Sequence, residues 1–179
     1  KTNTISIKHF YLRRVFRIWP LYFLILIAGL FFYWTIAPKV GMAVPIHYSK
    51  TTAILLYVFF LANLMNSLFE VGGIVHVTWS IAVEEQFYLF WAPLVKRFGS
   101  KLPAIIFTFS LAFLLLSVLN NYNVFGLSEG WQLFLRTLQF HYMGIGAGFA
   151  WLLYHHKERL LSHPIFSSKV WQIILTVAI

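Results

Sequence analysis

The chain has 179 residues, of which 60% are hydrophobic and 11% are charged, whereas a soluble domain is about 45–50% apolar and about 25% charged. The aromatic content (19 Phe, 9 Tyr and 7 Trp) excludes a disordered chain. The net charge of +9 would suggest nucleic-acid binding in a soluble protein, but here the Lys and Arg residues lie at the ends of apolar runs. The sequence therefore predicts an all-α integral membrane protein with no nucleic-acid partner.

The chain contains no cysteine, which excludes disulfides, a thiolate metal site and a cysteine nucleophile. We predict no metal site. The chain starts at Lys1 and stops within an apolar run that begins at Val170. We therefore expect residues 1–179 to be an internal piece of a longer protein, forming one transmembrane domain that is incomplete at both ends.

Apolar stretches along the chain indicate the helical segments. A helix needs about 20 apolar residues to cross a bilayer core about 30 Å thick. Five stretches approach that length, and a sixth begins at Val170. The five are residues 20–37, 51–69, 78–95, 102–119 and 133–154. We expect a polytopic transmembrane bundle with about five to six helical segments in this chain.

The basic residues indicate how these stretches cross. If every stretch crosses, six basic residues lie on the side of the first residues and eight lie opposite, against the positive-inside rule. If one stretch fails to cross, the counts become eleven and three. The third stretch is the best candidate, because its uninterrupted apolar run, residues 87–95, is too short to span. We expect it to dip into the membrane or line a cavity, with loop 96–101 on the same side as residues 8–17.

Two adjacent carboxylates, Glu84 and Glu85, lie inside the third stretch. A carboxylate in an apolar helix costs roughly 2.5–3.5 kcal/mol on insertion scales, so it normally faces protein or water. On a helix Glu84 shares a face with Ser80 and Tyr88, and Glu85 points about 100° away. Ser80 could hydrogen-bond the Glu84 carboxylate. The glutamates could position or activate a substrate hydroxyl or pair with a cation, or they could be an exposed pair at the membrane edge.

Three arginines, Arg13, Arg14 and Arg17, precede the first apolar stretch and fall within about 100° of one another on a helix. Such a cluster could clamp a phosphate group. The alternative is a membrane anchor that follows the positive-inside rule, and spacing alone favours it.

Gly144 and Gly148 form a small-xxx-small pair in the fifth stretch. In a membrane helix this spacing indicates a seam where a second helix packs closely. We therefore expect both glycines to face another helix.

Two segments resemble the signatures of the acyltransferase 3 family of membrane proteins. Residues 10–22, FYLRRVFRIWPLY, resemble the family pattern F-x-x-R-R-x-x-R-I-x-P-x-Y. Residues 79–89, WSIAVEEQFYL, resemble W-S-L-x-V-E-E-Q-F-Y-L, with Ile81 in place of the usual Leu. Residues 140–150 look like a third, weaker block, F-x-x-x-G-x-G-x-x-x-A.

The resemblance implies an enzyme of the plasma (inner) membrane, multi-pass, with the lipid bilayer as partner. Such proteins transfer an acetyl or other short acyl group from acyl-CoA to a hydroxyl of a carbohydrate or cell-surface glycan. Acyl-CoA is then the donor substrate, and no resident cofactor is expected.

The resemblance also assigns roles to residues. Arg14 and Arg17 match the family's R-x-x-R pair, thought to face the donor, and with Arg13 they are the expected donor-binding residues. Glu84 and Glu85 match the glutamate motif and are expected to support catalysis. The family's catalytic histidine and its partner arginine lie on an earlier helix and have no match here, so we expect no activity from this chain alone. The remaining residues that support the motif are Trp79, Ser80 and Tyr88.

Two other classes fit the sequence. A transporter or flippase without acyl chemistry would also need buried glutamates and a helix that does not cross. A structural membrane subunit would need neither glutamate.

Overall fold

The computed structural model describes residues 6–42, 47–69, 71, 73–163 and 168. Within these ranges every regular element is a helix, so the predicted all-α class is confirmed. A π-helical turn (Phe32–Ile36) and two 3-10 turns (Ile74–Val77 and Gly99–Lys101) lie between the α-helices. The α-helices of the described residues are α1 (Ile7–Phe31), α2 (Ala37–Lys39), α3 (Lys50–Val58), α4 (Ala62–Phe69), α5 (Thr78–Arg97), α6 (Leu102–Asn121), α7 (Glu129–Thr137) and α8 (Phe140–Leu161).

Helix α1 begins well before the first apolar stretch. Ser6 caps it, because the Ser6 Oγ accepts a hydrogen bond from the His9 backbone N–H at 3.4 Å. The three arginines therefore lie on the same helix as the apolar stretch, and Pro20 lies inside that helix.

Two segments of the described residues are long and apolar enough to cross a membrane, Ile7–Lys39 and Leu102–Asn121. This finding rests on length and composition. Large apolar side chains are exposed along both segments, including Leu24, Ile27 and Phe107. Such exposed apolar surface is typical of a face that contacts lipid or another protein. The sixth predicted stretch, from Val170, lies outside the described residues.

The second predicted crossing helix, residues 51–69, is broken in the middle and turns back. Between α3 and α4, Phe60 has a φ of 55°, a left-handed conformation that is an outlier for a bulky residue. The rings of Tyr48 and Phe69, before α3 and at the end of α4, lie 5.9 Å apart. The two helices therefore form a hairpin with Phe60 at its tip.

The hairpin lies along α1. Its tip contacts the middle of α1, where the Phe60 and Trp19 ring centroids are 5.2 Å apart. Its open end lies near the far end of the α1 segment, where the Lys50 Nζ is 5.4 Å from the Trp34 ring centroid. Residues 51–69 thus begin and end at the same end of the molecule.

Helix α5 runs antiparallel to α1. Near the start of α1, the Tyr11 hydroxyl donates a hydrogen bond to the Leu89 carbonyl at 2.8 Å. Near the end of α1, a Cβ on Gly29 would meet the Val75 side chain at 3.4 Å, just before α5 begins. Helix α5 is not one of the two segments that are long and apolar enough to cross, so the prediction that the third stretch does not cross stays a prediction. The reversal in residues 51–69 was not predicted.

The predicted arrangement and the observed one each contain one reversal of chain direction. Both therefore bring loop 96–101 to the same end of the molecule as residues 8–17. Sequence hydropathy did not reveal the break in residues 51–69, because that stretch contains no charge. The break in that stretch depends on uncharged polar residues instead, which are described with the site below.

The fifth predicted stretch, residues 133–154, is also broken. Helix α7 ends at Thr137, Leu138 has a φ of −76° and a ψ of 66°, and α8 begins at Phe140. Phe140 packs against Phe87 and Phe113, with ring centroids 5.8 and 5.0 Å apart. This aromatic cluster joins α5, α6 and α8.

Gly144 and Gly148 of α8 both face α6, which confirms the packing prediction. A Cβ on Gly144 would overlap the Ser110 Oγ, and one on Gly148 would lie 3.3 Å from the Ile106 Cγ2. The order of these contacts makes α6 and α8 antiparallel. The end of α8 therefore points to the end of the molecule that carries the three arginines.

Candidate donor-binding cavity

The two sequence motifs meet in one cavity of about 700 Å³ between the start of α1 and the middle of α5. We call it the arginine cavity. All three arginines of the first motif line it, together with two residues of the second motif. Its lining residues are Phe10, Arg13, Arg14, Arg17, Ile18, Glu84 and Tyr88.

Arg14 lies on the face of Tyr88. Its Cζ is 3.0 Å from the Tyr88 ring centroid and 5.0 Å from the Phe10 ring centroid. Cation–π contacts of this kind contribute about 0.5–2 kcal/mol. Within the described part of the chain the buried Arg14 Nε makes no hydrogen bond. Because the ring covers only a face of the guanidinium, the in-plane N–H groups stay available for a phosphate or carboxylate.

Arg13 and Arg17 are exposed, whereas Arg14 is half-buried. Arg13 and Arg17 also line a second groove on the outer face of α1. Of the three arginines, only Arg14 is therefore packed into the α1–α5 interface.

Glu84 and Glu85 lie in different cavities. Glu84 is exposed and lines the arginine cavity. Glu85 is half-buried and lines a separate, mostly apolar cavity of about 310 Å³. The two glutamates therefore line different cavities, in agreement with the angle expected between adjacent helical residues, although the Glu85 carboxylate is close enough to Arg14 and to Glu84 to interact with both.

The Glu85 cavity contains unpaired polar atoms. The Trp19 indole lies close to the Glu85 carboxylate. However, neither the Trp19 Nε1 nor the Glu85 Oε1 makes a hydrogen bond of normal geometry within the described residues. The other walls of this cavity come from the tip of the α3–α4 hairpin and from α5. Its lining residues are Tyr11, Val15, Trp19, Phe59, Phe60, Glu85, Gln86 and Leu89.

The remaining motif residues have structural contacts. The Ser80 hydroxyl donates to the Val77 carbonyl at 3.3 Å, so the expected bond from Ser80 to Glu84 is not formed. The reason is local, because a serine hydroxyl readily bonds a backbone carbonyl three residues earlier in a helix. Trp79 packs against the aromatic cluster that contains Phe87 and Phe140.

The sequence interpretation missed Gln86, which follows the two glutamates. Its Nε2 donates to the Phe60 carbonyl and to the Asn63 Oδ1, both at 2.8 Å. The Asn63 Nδ2 donates in turn to the Thr137 Oγ1 at 3.3 Å. These bonds connect α5 to both helix breaks, at Phe60 and after Thr137. The available signal was the pair of Asn residues, Asn63 and Asn66, in a mostly apolar stretch.

A second buried network holds the hairpin against α1. The Tyr22 hydroxyl donates to the Tyr57 carbonyl at 2.7 Å, and the Tyr57 hydroxyl donates to the Asn66 Oδ1 at 3.1 Å. The Asn66 Nδ2 donates to the His76 carbonyl at 3.1 Å. A broken helix in an apolar environment needs such partners for its free backbone groups.

The fold and the cavity thus define an all-helical protein with apolar exposed faces and a basic cavity at one end. Comparison of the chain with family models, with curated proteins and with solved structures gave no match.

Proposed function

We propose that this protein is an integral membrane acyltransferase of the acyltransferase 3 type. It moves an acetyl or other short acyl group from acyl-CoA to a hydroxyl of a carbohydrate or cell-surface glycan. The observation that carries the proposal is the arginine cavity. Two motifs about 70 residues apart in sequence, each resembling a signature of that family, line the same space.

The donor binds through its phosphates. Arg14 is oriented by Tyr88 and presents a planar donor fork, and Arg13 and Arg17 lie beside it. Guanidinium groups bind phosphate bidentately, and three of them offset the negative charge of CoA.

Acyl transfer to an alcohol also needs a base for the hydroxyl proton and donors for the developing oxyanion. By the family resemblance, the base is a histidine on a helix before this chain. Glu84 lies across the cavity from the arginines and is suited to position the acceptor or the histidine. Glu85 lines the neighbouring cavity and interacts with Arg14, so it supports the arginine and does not contact the acceptor.

The protein acts in the plasma membrane as a multi-pass protein. Two segments with the required length and apolarity support this proposal, as do the exposed apolar side chains along them. The arginine cavity then opens on the cytoplasmic side, where acyl-CoA is present, because the basic residues cluster at that end.

The first test is the kinetics of the full-length protein with Arg14→Lys. The apparent KM for acyl-CoA should rise about 10-fold or more, because a hydrogen bond to a charged group contributes about 1.5–3 kcal/mol and about 1.4 kcal/mol is tenfold in affinity. Glu84→Gln should lower kcat or acceptor affinity and leave donor binding largely intact.

The matched control is Arg97→Lys, which makes the same change at the same end of the molecule but outside the cavity. A wild-type KM for Arg14→Lys in correctly inserted protein would contradict donor binding by this arginine. The three arginines would then act only as a membrane anchor that follows the positive-inside rule.

A transporter or flippase is the second candidate, and the two helix breaks favour it. Discontinuous helices at membrane depth are common at transporter substrate sites, and here the Gln86–Asn63–Thr137 bonds join two of them. The two functions differ in acyl-CoA consumption by the full-length protein with glycan acceptors. Substrate movement without release of CoA would favour the transporter.

A further inference from the structure

The outer face of α1 carries a groove of about 400 Å³ that is separate from the arginine cavity except for two shared arginines. All its lining residues belong to α1, at helical spacings of three and four residues. No other described helix covers it. The lining residues are His9, Leu12, Arg13, Phe16 and Arg17.

The groove combines a cationic part with an apolar part. Arg13 and Arg17 lie one turn apart, so their guanidinium groups can meet one phosphate together. Phe16 lies beside them and is 76% exposed. The groove therefore suits an anion that carries an apolar tail, rather than a free anion.

The apolar part continues along the same face of α1 into the segment that can cross a membrane. Leu24, Ile27 and Phe31 lie on that face and are 64%, 67% and 59% exposed. From Phe16 to Ile27 the face is about 16 Å long at 1.5 Å per residue, comparable to one leaflet, which is half of the bilayer core of about 30 Å. The cations lie at one end of this face, where a lipid headgroup would lie.

We propose that this groove binds one anionic phospholipid of the leaflet that faces the basic end of the molecule. Arg13 and Arg17 hold the headgroup phosphate, His9 lies at its edge, and the acyl chains follow Phe16, Leu24 and Ile27. The proposal rests on the membrane insertion proposed above, but not on acyl transfer. Arg13 and Arg17 line both the groove and the arginine cavity, so with the lipid bound the donor relies on Arg14, which faces Tyr88 on the inner side.

The test is native mass spectrometry of the full-length protein in mild detergent with equimolar phosphatidylglycerol and phosphatidylcholine. Wild-type protein should retain one phosphatidylglycerol at least about 10-fold more often than phosphatidylcholine. The double variant Arg13→Gln/Arg17→Gln should lose this preference. The control Lys96→Gln/Arg97→Gln removes the same charge from the same end and should keep it.

Phe16→Ser leaves the charge unchanged and should lower retention of phosphatidylglycerol at least about threefold. Added inorganic phosphate at millimolar concentration should not displace the lipid. If both double variants lost the preference for phosphatidylglycerol equally, the lipid would be held by general attraction to a basic surface, and the proposed site would be overturned. Displacement by phosphate, or full retention by Phe16→Ser, would overturn the role of the apolar face.

Discussion

At the scale of single residues, Tyr88 is the residue that gives Arg14 a defined orientation. The guanidinium carbon lies 3.0 Å from the Tyr88 ring centroid, and the Phe10 ring meets Tyr88 edge to face at 6.0 Å. A flexible arginine loses side-chain entropy when it binds phosphate, whereas a stacked one has already lost part of it. Under the proposed function, Tyr88 is therefore a positioning residue for the donor.

The prediction for Tyr88 separates the ring from the hydroxyl. Tyr88→Phe keeps the ring face and should leave the KM for acyl-CoA within about twofold of wild type. Tyr88→Leu removes the cation–π contact, worth about 0.5–2 kcal/mol, and should raise this KM by about 3- to 30-fold. Steady-state kinetics of the full-length protein would measure both. Equal KM values for the two variants would contradict a role for the ring.

The neighbouring glutamates show what spacing could predict at this scale. The angle between adjacent helical residues already separates Glu84 from Glu85, and the structure places them in different cavities. Spacing could not show which of them faces the arginines. That depends on the position of α5 beside α1, set by contacts such as the bond from Tyr11 to Leu89.

At the scale of helices, the closest packing is between α6 and α8. Gly144 meets Ser110 and Phe109, and Gly148 meets Ile106, so the two glycines let the helix backbones approach. The small-xxx-small spacing was sufficient to predict a packed seam. It could not name α6 as the partner, because the spacing describes one helix only.

The prediction for this seam is a loss of stability. Gly144→Leu should lower the midpoint of thermal unfolding in detergent strongly, because its Cβ alone overlaps the Ser110 Oγ and overpacking costs about 1–3 kcal/mol or more. Gly148→Leu should have a smaller effect in the same direction, since its Cβ meets Ile106 at 3.3 Å. Gly146→Leu is the matched control, because a Cβ there meets nothing within 4 Å. Equal midpoints for all three variants would contradict the seam.

At the scale of the whole molecule, one reversal sets the arrangement of the ends. The α3–α4 hairpin returns to the end where it entered, and α5 then runs back along α1. Loop 96–101 therefore lies at the arginine end. The basic residues of α1, α5 and α8 gather at that end, as the positive-inside rule requires of a cytoplasmic face.

Labelling of single cysteines tests this arrangement, because the chain has none of its own. Gly99→Cys should react only from the cytoplasmic side. His47→Cys and Ile74→Cys, before α3 and after α4, are both at exposed positions and should react from the opposite side. If residues 51–69 crossed the membrane as one helix, these two thiols would react from different sides. Reaction of Gly99→Cys from outside the cell would contradict the shared end.

The sequence by itself determined the all-helical class of the chain and the two motifs that supply most residues of its basic cavity. Composition sets the environment of the chain, because transfer of so much apolar surface out of water dominates its free energy. The two motifs indicated the residues of the cavity, since Arg14, Glu84 and Tyr88 lie within them.

Only the tertiary structure decided that residues 51–69 turn back and that Glu84, and not Glu85, lines the arginine cavity. Hydropathy measures the transfer of each side chain to an apolar environment, and it does not distinguish lipid from the interior of the protein. The reversal at Phe60 depends on bonds from Gln86, 26 residues later in the sequence, and the hairpin on the contact between Asn66 and His76. Such bonds form between elements that approach only in the folded chain. Asn63 and Asn66 could mark the stretch, but no local pattern in residues 51–69 could predict their partners.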